Sequence, residues 1–128
     1  VIGTFEALMD SSIVIDLLRD YPFARAWAMK GHLVAISRIT WFEIIQGADG
    51  KKAQKTALEM IRRFTLIEIE PQDITLAADL LLEWRPKRHI DTFDCILCAT
   101  SQRLNVPFYT RNLKHFSPIL GSLAQSPY

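Results

Sequence analysis

Three acidic residues, Asp10, Glu43 and Asp94, stand where an α/β chain would bring carboxylates together. Asp10 closes the apolar run Glu6-Ala7-Leu8-Met9. Glu43 sits about one turn into the helical segment that follows Leu33-Val34-Ala35-Ile36-Ser37. Asp94 opens the segment before Val106-Pro107-Phe108-Tyr109-Thr110, and that run delivers Arg111 and Asn112. In an open parallel sheet, ligands bind beyond the carboxyl ends of the strands. A parallel arrangement therefore predicts that Asp10, Glu43, Asp94 and Asn112 reach one mouth. Carboxylates gathered there disfavour one another's ionised form. A divalent cation relieves the conflict, and Mg²⁺ or Mn²⁺ prefers oxygen ligands. Such a metal activates water and stabilises phosphoryl charge, and two metals about 3.5–4 Å apart divide the work. The chemistry expected is hydrolysis of a phosphodiester.

Each acid also has a structural reading. Thr40-Trp41-Phe42-Glu43 fits a capping box, in which Glu43 serves its own helix. Asp91-Thr92-Phe93-Asp94 fits an N-cap with an acid in the first turn, favourable near the helix dipole. Asp10 can end a strand in an Asx-turn. Position alone leaves both readings open.

The elements that must position these residues follow from periodicity. The sequence has 128 residues, 49% of them hydrophobic and 23% charged, a globular profile with enough chain for one core. One domain over residues 1–128 is expected. Short apolar runs alternate with segments of helical period, which predicts an α/β layer fold. A helix through Ile13, Val14, Leu17 and Leu18 is interrupted at Tyr21-Pro22, and a second runs from Phe23 to Met29 with Gly31 closing it. Thr40 to Gln46 and the amphipathic Lys51–Phe64 segment are helical, Leu66–Ile69 is a strand, and Pro71 opens a helix through Leu82. The Ser117–Tyr128 tail carries no clear pattern.

Four segments in order are similar to those of PIN domains: Leu8-Met9-Asp10-Ser11-Ser12, Ile36 through Gly47 with Glu43, Asp94-Cys95-Ile96-Leu97-Cys98-Ala99-Thr100, and Val106 through Phe116. Their order, spacing and total length resemble the VapC family, the toxin ribonucleases of bacterial VapBC toxin–antitoxin pairs, from about Ala7 to about Gly121. The resemblance implies a three-layer α/β/α domain with a central, mainly parallel sheet. It also implies a Mg²⁺- or Mn²⁺-dependent endoribonuclease, a VapB-type antitoxin partner and a homodimer. Asp10, Glu43 and Asp94 would hold the metal, with Asn112 supporting them or the bound water. Two departures stand out. Ser12 replaces a common Asn, and its hydroxyl can still orient Asp10. Asn112 and His115 stand where many relatives carry a fourth acid, which weakens a second metal site and leaves one-metal chemistry open, with Asp91 compensating if its loop folds inward.

Other residues receive plainer readings. Cys95 and Cys98 are expected as small buried groups, because a zinc site needs further ligands and only His89 is near. His32, His89 and His115 show no ligand spacing. Lys87 and Arg88 before Asp94, and Arg111 beyond the last strand, predict a basic rim for a phosphate backbone. Val1–Phe5 has no signal-peptide pattern and no run is long enough to span a bilayer, so no membrane and a cytoplasmic setting are expected. A catalytically silent PIN-like module that binds RNA or protein is the alternative, opposed by the intact acids. A receiver domain with Asp10 as phosphoacceptor lacks the accompanying acidic pair.

Overall fold

The computed structural model describes residues 5–128, so the Val1–Phe5 reading lies, apart from Phe5, outside the described residues. Five parallel strands form one sheet: β1 (Ala7–Met9), β2 (Val34–Ser37), β3 (Thr65–Ile67), β4 (Phe108–Tyr109) and β5 (Ala124–Gln125), in the order β3-β2-β1-β4-β5. Seven helices surround it: α1 (Ser11–Leu18), α2 (Pro22–Ala28), α3 (Arg38–Gly47), α4 (Lys51–Ile61), α5 (Pro71–Trp84), α6 (Thr92–Leu104) and α7 (Leu113–Leu120).

The period of two along each strand builds two cores, one on each face of the sheet. Ala7 and Met9 of β1, with Val34 and Ile36 of β2, pack with Ile13, Val14, Trp27, Ala57 and Ile61. Leu8 and Ala35 point the other way, towards Ala77, Leu80, Phe108, Phe116 and the α6 residues Cys95 to Ala99. Helices therefore cover both faces, giving the expected three-layer α/β/α architecture. Residues Cys95 through Ser101 are all buried, so α6 is the most enclosed helix and both cysteines are free, buried small groups, as their surroundings predicted.

Local signals explain most boundaries. Pro22 and Pro71 occupy first-turn positions of α2 and α5, where a missing N–H costs nothing. Gly31, past the end of α2, takes φ +82°, open to glycine without strain. Two expectations need correction. The cap of α3 is Ser37, whose side chain accepts the Ile39 N–H at 3.1 Å. Thr40, the cap in the structural reading of Glu43, is fully buried and donates to the Met9 carbonyl at 3.5 Å, tying α3 to β1. The tail also forms β5, which pairs with β4 and had no signal of its own.

The sheet order places the site. The chain steps from β1 outward through β2 to β3, then crosses back to β4 on the opposite side of β1. The order reverses at the β1–β4 seam, and such switch points open the crevices in which α/β sheets bind ligands. Asp10 follows β1 and Thr110 follows β4, and the Asp10 N–H donates to the Tyr109 carbonyl at 2.8 Å across that seam.

Candidate active site

Asp10 is the N-cap of α1 and only 7% exposed. Oδ1 accepts the Ser11 N–H at 2.8 Å. Oδ2 accepts the Ser12 hydroxyl at 3.0 Å and the Thr110 hydroxyl at 2.8 Å. Ser12 thus orients Asp10, as expected of a hydroxyl at that position. Thr110 does the same from across the seam, a role not assigned to it from sequence, although Thr at the end of a strand that faces an acid is a readable signal.

Glu43 projects from the second turn of α3, past the cap that Ser37 supplies, so it is free of any capping duty. Its Oε1 is buried without a hydrogen-bond partner. Burial first, then the charges of Asp10, Asp94 and Asp91, push its carboxyl up to about 7, tempered by the nearby Ser11 hydroxyl. Asp10 follows β1, Glu43 lies early in the helix after β2 and Asp94 opens the helix that leads into β4, so the parallel sheet sets the three acids towards one edge.

Asp94 lies in the first turn of α6, whose N-cap is Asp91: the Asp91 carboxylate accepts the Asp94 N–H at 2.9 Å. Asp91 is therefore occupied as a cap, while its charge still reaches Glu43 and Asp94. Burial raises the Asp94 carboxyl above its ordinary range, opposed by the hydrogen bond from His115. His115 Nε2 lies 2.8 Å from Asp94 Oδ2. The partnership spans 21 residues of sequence and was not foreseen.

The acids share an edge without closing on one point. Among the described residues, no trio of His, Cys, Asp or Glu side chains stands close enough to grip a single ion. Like charges repel, and two of the three have taken other neighbours, Asp10 the Ser12 and Thr110 hydroxyls and Asp94 the His115 ring. The donor set still suits a hard divalent cation, since it consists of carboxylate oxygens and includes a buried oxygen with no partner.

The rim divides. Lys87, Arg88 and His89 line a shallow depression with Asn112, Lys114 and His115, so two of the expected basic residues lie beside His115 and hence Asp94. Lys87 also stands 5.1 Å from the Trp84 ring centre. Asn112 is exposed there, and its main-chain N–H donates to Thr110 Oγ1 at 2.9 Å. Arg111 is not among the residues lining that depression, and its guanidinium pairs with Asp16 at 3.0 Å. Its partner, Asp16, lies 95 residues away in sequence. On the other side of Glu43 an apolar groove of about 720 Å³ runs between α1, α3 and α4, lined by Ile15, Leu18, Ile44, Ala53 and Ala57.

Comparison with known proteins bears on the same residues. Ribonuclease VapC19 of Mycobacterium tuberculosis is 28% identical over 127 residues, covering 94% of this chain and 98% of that protein. A toxin–antitoxin complex from Klebsiella pneumoniae contains a chain that superposes with a TM-score of 0.79 at 28% identity, covering 95% of this chain and 98% of its own. DNA-bound VapBC from Salmonella typhimurium gives 0.76 at 20% identity, with 91% and 94% covered, a likeness of fold. A family model described as PIN domain matches residues 7–117, a span that begins at β1 and takes in Asp10, Glu43, Asp94 and the Thr110–His115 segment. With its parallel sheet, its switch-point acids and that match over most of its length, the chain belongs to the PIN domain family.

Proposed function

We propose that this protein is a divalent-metal-dependent endoribonuclease and the toxin of a toxin–antitoxin pair. One observation carries the reading: Glu43 has a buried, partnerless carboxylate oxygen facing the charges of Asp10, Asp94 and Asp91 at the sheet's switch point. A fold gains nothing from such an arrangement, because a buried unsatisfied acid costs stability. A cation site does gain from it. The named relative is a ribonuclease, and the Klebsiella chain comes from a toxin–antitoxin complex, which agrees with that chemistry.

In this reading Asp10, Glu43 and Asp94 hold Mg²⁺ or Mn²⁺, which when bound activates water and stabilises charge on the scissile phosphate. Ser12 and Thr110 fix the Asp10 carboxylate through their hydroxyls. His115 holds Asp94 through its Nε2, and Asn112 lies beside it to orient water or substrate. Lys87 and Arg88 place the RNA backbone along the depression that reaches His115. The apolar groove next to Glu43 is the surface for a VapB-type antitoxin segment, which would lay an amphipathic face into it. A homodimer and a cytoplasmic setting complete the reading. Among the described residues, no helix is long and apolar enough to cross a membrane.

The test is cleavage of a panel of structured RNAs by the purified protein with Mg²⁺ or Mn²⁺, with and without chelator. Metal-dependent internal cuts that chelator abolishes are expected. RNA binding without cleavage under any metal would overturn the nuclease reading in favour of a silent RNA-binding module.

A further inference from the structure

The turn Thr110-Arg111-Asn112 works on Asp10 through two hydroxyl relays. Thr110 Oγ1 accepts the Asn112 N–H at 2.9 Å and donates to Asp10 Oδ2 at 2.8 Å. Ser12 Oγ accepts the Arg111 N–H at 3.1 Å and donates to the same oxygen at 3.0 Å. A hydroxyl has one proton to give. With a main-chain N–H already on each oxygen, that proton is aimed at the carboxylate. The orientation of Asp10 therefore depends on where this turn sits.

Two features of the tail hold the turn in place. On the sheet side, the Thr110 N–H donates to the Gln125 carbonyl at 2.9 Å, an extension of the β4–β5 pairing. On the other side stands a cage around the Arg111 side chain. Its Nη1 donates to Asp16 Oδ2 at 3.0 Å, and the Tyr128 hydroxyl donates to that same oxygen at 2.7 Å. The Arg111 guanidinium carbon lies 4.7 Å from the Tyr128 ring centre and 5.4 Å from that of Tyr21. The Tyr128 ring rests in turn on Trp27, at 5.9 Å between centres. Asp16 is buried, which by itself would raise its carboxyl. Hydrogen bonds from Tyr128 and Arg19 and the charges of Arg19 and Arg111 hold it below its usual range. An Arg with its charge matched and its face stacked on a ring is a rigid post more than a free phosphate ligand.

We propose that Tyr128 and Arg111 are positioning residues for Asp10: Tyr128 clamps Arg111 against Asp16, and the Arg111 main chain sets the hydroxyl that orients the carboxylate. The inference rests on the reading of Asp10 as a metal-holding acid. Its rival is the direct one, in which Arg111 leaves Asp16 to bind RNA phosphate. The two differ in what the loss of Tyr128 does, because Tyr128 itself carries no charge to a substrate.

The experiment compares Tyr128→Ala, Tyr128→Phe and Arg111→Ala with the parent protein. It measures Mn²⁺ binding by calorimetry, amide exchange at Arg111 and Asn112, and kcat and KM on an RNA the parent cleaves. In Tyr128→Ala, Mn²⁺ affinity and kcat should fall together by about 10-fold, the scale of a lost outer partner at a metal site. KM should stay within about twofold, since no substrate contact is removed, and both amides should exchange faster. Tyr128→Phe keeps the ring and loses only the hydroxyl, so a loss of about threefold in the same direction is expected, and it serves if the alanine variant does not fold. Arg111→Ala should follow Tyr128→Ala, with the salt dependence of RNA binding unchanged. Folded tyrosine variants with parental Mn²⁺ affinity and kcat would overturn the proposal. So would an Arg111→Ala variant with parental Mn²⁺ affinity and a salt slope reduced by about one unit, the mark of a lost phosphate contact. Failure of the parent itself to bind Mn²⁺ would instead strike the metal-site reading, and this inference would fall with it.

Discussion

Asp73 on α5 and Glu43 on α3 are both helical carboxylates withdrawn from water, and their surroundings treat them in opposite ways. Asp73 is fully buried, with a bidentate partner in Arg103 and a further hydrogen bond from the Glu70 N–H at 3.0 Å. Burial alone would raise its carboxyl, yet the Arg103 hydrogen bond, the Glu70 N–H and the Arg103 charge hold it below 3.8. Glu43 is half-buried with no cation beside it, only more acids, and its carboxyl rises to about 7. The first acid closes an α5–α6 joint and is satisfied by the fold. The second is left for something the fold does not contain. Burial of an acid therefore says little about its role until its partners are counted.

The largest effect expected from this contrast is on the site side. Asp94→Asn should lower metal-dependent cleavage by more than about 100-fold, beyond the usual cost of a lost outer partner, because it removes a hard oxygen ligand. The fold should survive, since Asp91 and not Asp94 caps α6. Cleavage assays beside thermal melts read both halves. An unfolded variant would move Asp94 into the same class as Asp73.

On the structural side, Arg103→Ala should destabilise the protein by about 3 kcal/mol, as it leaves a buried charge without its partner. Metal affinity should change little, because Arg103 stands in the last turn of α6 and Asp94 in its first. Denaturant melts and metal calorimetry check the two statements separately. A lowered carboxyl contributes stability at neutral pH that is lost as pH falls below the ordinary 3.8, so this contribution should fade in acid.

Glu43 should show the reverse sign. Its folded carboxyl holds a proton more tightly than the unfolded one, so the folded state binds more protons between 4.5 and about 7. Stability of the metal-free protein should then decline as pH rises through that window, by on the order of 2 kcal/mol after allowance for its partial exposure. Glu43→Gln should flatten the decline and raise the melting temperature at pH 8 without metal, while losing the stabilisation that Mn²⁺ gives the parent. An unchanged pH profile in Glu43→Gln would remove the electrostatic conflict from which the site was argued.

The sequence showed the structural half of this contrast less well than the site. Asp10 and Glu43 were legible because each lies within two helical turns of the strand before it, and Asp94 because it opens the helix that leads into β4. A parallel sheet sends such positions to one edge. Ser37 was read as a strand residue and also caps the start of α3, because a serine at a strand end and one at a helix cap look alike. The Asp73–Arg103 pair spans 30 residues, His115–Asp94 21 and Arg111–Asp16 95, and no period connects partners so far apart. The two-residue β5 has no alternation to detect, and its pairing exists only because β4 offers an edge. Signals local to an element were therefore readable, and side-chain partnerships between elements were not.

The smallest effect expected separates rim charges that flank the acids from charges that do not. Arg88 is exposed and lines the depression shared with Asn112 and His115, while Lys51 sits at the start of α4, off that depression. Each phosphate neutralised by a cation contributes about one unit to the log–log salt slope of RNA binding. Arg88→Ala should therefore reduce that slope by about one unit and weaken binding across RNA sequences alike. Lys51→Ala should leave the slope unchanged. Both variants lose one positive charge, so any general effect of net charge cancels when they are compared at matched ionic strength. Equal losses in the two would mean that RNA runs over α4 as well, across the apolar groove beside Glu43. The groove would then have to serve substrate before any antitoxin segment.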